Sequence, residues 1–97
     1  MFVGSVEFDV LLGDVRSLKE KRSVVRPVVA ELRRRFDVAA GEVGSLELHR
    51  RASVGVAVVA ADAGHCRDVL DQCERLVAGR PELDLLAARR RLFGPED

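Results

Sequence analysis

Positively charged side chains are concentrated in one segment of the chain. Residues 16–35 hold eight of the sixteen Lys and Arg residues and only two acids, although the formal net charge of all 97 residues is zero. Cations gathered on one element suit a nucleic-acid backbone, because neutralised phosphates release their bound counterions. The sequence predicts phosphate contacts from Lys19, Lys21, Arg22, Arg26 and Arg33, with support from Arg16 and Arg34.

The spacing of these cations predicts a row on one helix. At 100° per residue, four of them fall within an arc of roughly 60°, about a quarter turn from the apolar stripe: Lys19, Arg22, Arg26 and Arg33. The alternative is a solvated face, since Lys and Arg stems often cover the edge of a core. Cations also complement the negative end of a helix, which explains Arg33 but not Lys19 near the other end.

No residue pattern in the sequence points to catalysis or metal binding. The two histidines, His49 and His65, lack partners at the spacing of zinc ligands. Glu7 and Asp9 share one strand face, but nothing gives them the two different environments that an acid–base pair needs. We therefore expect a non-enzymatic protein without a metal or cofactor.

The alternation of residue types defines the elements that would carry these side chains. Residues 2–12 alternate between apolar and polar and predict a strand, and a helix follows after Ser17 and runs to about residue 35. Pro27 lies inside that helix and either kinks it or divides it. A weak strand (37–43), an apolar strand (52–61), a helix capped by Asp62 and a last strand (83–93) complete the chain.

The element order βαββαβ predicts the fold. Two right-handed βαβ crossovers joined by a hairpin give a four-stranded antiparallel sheet with both helices on one face. This is the ferredoxin-like α+β sandwich. Residues 1–97 are expected to form a single domain, with 94–97 as a short C-terminal tail.

The sheet face without helices is a second candidate surface. Small residues there would allow another sheet to approach closely, so self-association is its predicted use. An RNA recognition motif would place aromatic residues on this face, whereas the first strand directs its aromatics into the core. The predicted interface residues are Ser5, Glu7, Asp9, Gly55, Ala57 and Val59.

The composition predicts a cytoplasmic protein. The longest apolar run, residues 54–61, is far shorter than the ~20 residues that span a bilayer. Glu7 and Asp9 interrupt the first apolar segment, so we expect no signal peptide. Cys66 and Cys73 are seven residues apart on one helix, about 10 Å, which is too far for a disulfide and predicts two buried thiols.

The block Ser17-Leu18-Lys19-Glu20-Lys21-Arg22, followed by residues 33–38 and 42–44, resembles the bacterial YlxP-like family, domain of unknown function 503. The similarity continues through residues 55–59 and 62–63. It implies a small cytoplasmic protein of ferredoxin-like fold. Genes of that family often lie near those for translation initiation factor two and ribosome-binding factor A, which implies a link to translation or ribosome maturation.

Two functions from different classes follow. The first is a binding module that docks its basic helix on ribosomal RNA or a ribonucleoprotein. The second is a protein-interaction or self-assembling module that uses the open sheet face or an edge strand. A ligand-sensing domain with a pocket between subunits is a weaker third alternative.

Overall fold

The computed structural model describes residues 1–96. The elements in chain order are β1 (Phe2–Leu12), α1 (Leu18–Phe36), β2 (Ala39–Gly44), β3 (Arg51–Ala60), α2 (Ala63–Ala78) and β4 (Leu83–Phe93). The strand order is β2-β3-β1-β4, and all neighbouring strands are antiparallel. The predicted ferredoxin-like fold is confirmed. Asp97, the last residue of the predicted tail, lies outside the described residues.

β1 divides the molecule into a core side and an open side. From Gly4 to Leu12 its even-numbered residues are buried and its odd-numbered residues are partly exposed, as the alternation predicts. Phe8 packs in the core with buried residues of both helices: Val25, Val28, Leu32, Cys66, Leu70 and Cys73. The face that carries the odd-numbered residues has no helix over it, and we call it the open face.

α1 is one continuous helix despite Pro27. Ser17 caps its start, because the Ser17 side chain accepts a hydrogen bond from the Glu20 backbone N–H at 3.1 Å. Pro27 is exposed, so the hydrogen bond that it cannot donate is missing on the solvent side of the helix. The helix ends at Asp37, which adopts a left-handed conformation (φ 52°) and donates its N–H to Arg33 O.

That left-handed residue explains the one strand that begins later than predicted. The sequence predicts that β2 starts at residue 37, but that residue forms the C-cap of α1, and β2 starts at Ala39. β2 is an edge strand paired only with β3, and its register shifts between Glu42 and Gly44. The shift marks a β-bulge, a common feature of sheet edges.

α2 begins where the sequence predicts. The Asp62 side chain accepts a hydrogen bond from the His65 N–H at 2.8 Å, and Gly79 forms the C-cap. Cys66 and Cys73 are free and buried, and burial raises the pKa of the Cys73 thiol to about 11. Within residues 1–96, neither helix has the length and apolarity to cross a membrane.

Candidate nucleic-acid interface

Four cations of α1 form an exposed line along the helix, which we call the basic row. They are Lys19, Arg22, Arg26 and Arg33. The row extends ~21 Å at 1.5 Å per residue. Lys19, Arg22 and Arg26 border a shallow surface cavity of about 390 Å³. Arg22, Arg26 and Arg33 border a second cavity of about 460 Å³, between α1 and the edge strand β2.

The positive charge of the basic row is not neutralised within the protein. Across residues 1–96, the ion pairs involve other cations and leave these four without a carboxylate partner. The acids of α1 are engaged elsewhere. Glu31 pairs with Arg35 and Arg80, and a Glu20 carboxylate oxygen accepts the Arg16 backbone N–H at 3.1 Å. The surface therefore presents uncompensated charge to solvent.

Arg33 anchors the C-terminal end of the row to the sheet. Its Nε and Nη2 donate to the Ala40 carbonyl oxygen at 2.9 and 2.5 Å. The guanidinium is still exposed, and a guanidinium has five N–H donors, so further donors stay available. The contact with β2 restricts the side chain and reduces the entropy that binding would cost.

Lys21 does not belong to the predicted surface, which corrects the sequence analysis. Its side chain is 1% exposed. Its Nζ lies 2.8 Å from Oε2 of Glu42 and donates to the Ser45 carbonyl oxygen at 2.6 Å. The position explains this burial, because residue 21 follows Leu18 by three and precedes Val25 by four, so it lies on the apolar stripe. A phosphate could not reach this ammonium group.

The two supporting cations of the prediction occupy different settings. Arg16 precedes the helix, is exposed, and faces the Asp14 carboxylate at 3.4 Å, so part of its charge is compensated. Arg34 is exposed and, within residues 1–96, its side chain makes no hydrogen bond or ion pair with the rest of the protein. Arg34 follows Arg33 by 100° and therefore extends the positive surface sideways.

The second predicted surface is a concave part of the open face. A shallow cavity of about 590 Å³ lies over the sheet, and four of the six predicted interface residues line it: Ser5, Glu7, Gly55 and Ala57. Asp9 lies outside the cavity and accepts a hydrogen bond from the Ser53 hydroxyl at 2.9 Å. Val59 also lies outside the cavity and is 65% exposed.

β4 contributes charges to the open face that the sequence analysis did not assign. Nη1 of Arg89 lies 2.6 Å from Oδ2 of Asp9, and its Nη2 lies 3.5 Å from Oε1 of Glu7. Hydrogen bonds from Arg89 and then Ser53 lower the pKa of Asp9. The two acids of β1 are therefore compensated by Arg89.

Arg91 is the second cation that β4 contributes to the open face. Its guanidinium lies 5.0 Å from the centre of the Phe93 ring, within cation–π range. Period-two alternation in β4 could have placed Arg89, Arg91 and Phe93 on one face, but the bulge opposite Asp9 and Val10 makes that face uncertain from sequence.

Within residues 1–96, no group of three or more His, Cys, Asp or Glu side chains could hold a metal ion. Two features of the surface are distinguished by charge and shape. They comprise a basic row on α1 and a concave open face on the other side of the sheet.

Comparison with known proteins places the chain in a family. Residues 3–90 match the family described as "Protein of unknown function (DUF503)". The chain is also similar to the "Uncharacterized protein YlxP" of Bacillus subtilis (strain 168), with 26% identity over 91 residues, which are 94% of this chain and 99% of the relative. Because the family match extends from β1 into β4, this chain belongs to the DUF503 family.

Proposed function

We propose that this protein is a non-enzymatic binding module that docks α1 on structured RNA, with ribosomal RNA as the expected partner. The observation that carries the proposal is the basic row, in which four exposed cations lie within ~21 Å without an internal carboxylate partner. A row of this kind neutralises successive phosphates and positions the protein on a backbone without recognising sequence.

The surroundings of the row favour the phosphate backbone over the bases. Base recognition in single strands relies on aromatic platforms, and the residues that border the two cavities of the row include no aromatic side chain. Phe8 is buried, and Phe36 lies beyond the row beside Arg35. Shape and charge are therefore the expected determinants of affinity.

The expected partner comes from the family resemblance. Genes of the YlxP-like family often lie beside translation genes, and the ribosome supplies the most abundant structured RNA of the cytoplasm. The proposed partner is ribosomal RNA in the small subunit or in an assembling particle.

The salt dependence of binding tests this proposal. Small ribosomal subunits and bulk ribosomal RNA are titrated with the protein at two salt concentrations. Four phosphate contacts predict roughly a hundredfold loss of affinity between ~50 and ~200 mM salt. Absence of binding at the lower salt concentration, or an affinity that does not change with salt, would contradict the proposal.

Self-association is the second candidate function. The concave part of the open face supports it, because small residues of β2 and β3, among them Ala39 and Ala57, line it and let another sheet approach.

A further inference from the structure

We propose that the open face forms the interface of a two-fold homodimer in which β2 of each copy packs over β4 of the other. This inference does not depend on RNA binding, because it concerns the sheet face opposite the helices.

The open face has two halves of complementary shape. On β2 and β3 most of the side chains that line the cavity of about 590 Å³ are small, namely Ala39, Gly41, Gly55 and Ala57, and Val43, which lies over Gly55, is the larger exception. On β4 the side chains are large, and Arg89 and Arg91 border the same cavity. Phe93 adds a further large side chain to the β4 half of the face. It is 39% exposed and so does not belong to the core.

Two-fold symmetry brings these halves together. The axis that does so lies between the two sheets and runs parallel to the strands. A half turn about this axis exchanges the two edges of the sheet, so β2 of one copy faces β4 of its partner and β3 faces β1. The interface is isologous, since each copy supplies one small half and one large half. Aligned sheet packing of this kind is common, with sheets ~10 Å apart.

The charges of the open face permit contact with a second copy. On this face Glu7, Asp9 and Asp84 balance Arg51, Arg89 and Arg91, and Arg89 already pairs with Glu7 and Asp9 in its own protomer. Little charge would thus be buried without a partner. Arg91 lies on an edge strand, so its head group can stay in water while its stem packs. The basic row, by contrast, would repel the basic row of a second protomer.

The area of the face suits a dimer. Four strands of 6–11 residues, spaced ~4.8 Å apart with a rise of ~3.3 Å per residue, cover a flat area of roughly 600 Å². The side chains make the accessible surface of the face larger than this flat area. A standard interface buries ~800 Å² of accessible surface per partner. Exposed apolar side chains on this face, Val43 at 56% and Val59 at 65%, would contribute to it.

The oligomeric state in solution tests the proposal. Sedimentation equilibrium of the wild type at micromolar concentration is expected to give twice the monomer mass of 10.7 kDa. Ala57→Arg places a large cation on the floor of the cavity and is expected to give a monomer with an unchanged far-UV spectrum. Gln72→Arg adds the same charge to the exposed outer side of α2 and is expected to stay dimeric. A monomeric wild type would overturn the proposal.

Cross-linking tests the orientation of the two sheets. Ala39→Cys on β2 and Arg91→Cys on β4 are prepared as separate variants, mixed, and treated with a bis-maleimide that spans ~10 Å. The native cysteines are buried and should not react in the folded protein. We expect a cross-linked heterodimer in the mixture and none with either variant alone. A homodimer of Ala39→Cys would mean that β2 faces β2, which overturns the proposed geometry.

Discussion

Nζ of Lys21 lies 2.8 Å from Oε2 of Glu42, so a largely buried ion pair joins α1 to the edge strand β2. The same ammonium group donates to the Ser45 carbonyl, and Ser45 adopts the left-handed conformation (φ 57°) that non-glycine residues rarely occupy. One lysine thus fixes both β2 and the turn after it against the helix. Because Arg33 of the basic row also contacts β2, the Lys21–Glu42 pair helps to hold the basic row in place.

Removing one member of this pair should destabilise the protein. Lys21→Met leaves the Glu42 carboxylate without its partner, and breaking a buried pair in this way is expected to cost about 3 kcal/mol. Lys21→Met/Glu42→Leu removes both charges and should recover most of that loss. Urea denaturation measures the free energy of unfolding of each variant. A double variant no more stable than the single one would contradict this account.

The Asp9–Arg89 pair predicts that the protein loses stability at acidic pH. Arg89 lowers the pKa of Asp9 in the folded state below the unfolded value of ~3.9. Between these two values the unfolded chain binds more protons, so stability rises with pH there. The contribution is complete above the unfolded pKa and is lost as the pH falls through the folded pKa.

Asp9→Asn should therefore lower stability at neutral pH and make stability depend less on pH below about pH 4. Thermal unfolding followed across the acid range provides the measurement. Asp84→Asn is the control, because Asp84 is exposed on the same strand as Arg89 but pairs with no cation within residues 1–96. If the stability of Asp9→Asn changed with pH as steeply as that of the wild type, another group would cause the loss of stability at acidic pH.

The thiols should be unreactive in the folded state. Cys66 and Cys73 are both 0% exposed, and burial raises the pKa of Cys73 to about 11. Because the thiolate is the reactive form, a disulfide-exchange reagent at neutral pH is expected to modify neither residue until denaturant is added. Prompt modification of the native protein would indicate that α2 opens readily.

The sequence determines most of the fold through periodicity. β1 and β4 have the predicted bounds, β1 because its alternation is clear and β4 because Pro81 and Gly94 flank it, and the caps Ser17 and Asp62 mark both helix starts. Pro27 is tolerated because it faces solvent, a fact that depends on tertiary packing and is not evident from local propensity.

The candidate sites were predictable only in part. Helical spacing is sufficient to group the basic row, but charge alone gave Lys21 the wrong role, since its buried partner Glu42 comes from a weak edge strand. Arg89 was missed for a similar reason. Its partners lie 80 and 82 positions away in sequence, and only the strand order brings them together.

Ribosomal RNA binding by two matched charge-reversal variants tests the central proposal most directly. Arg22→Glu/Arg26→Glu changes the basic row, and Arg67→Glu/Arg75→Glu makes the same change in net charge on the exposed side of α2. We expect the first variant to lose most of its affinity at ~100 mM salt and the second to retain affinity within a few fold of wild type. Equal losses in the two variants would show that binding depends on overall charge, and full binding by the first would exclude the basic row as the RNA surface.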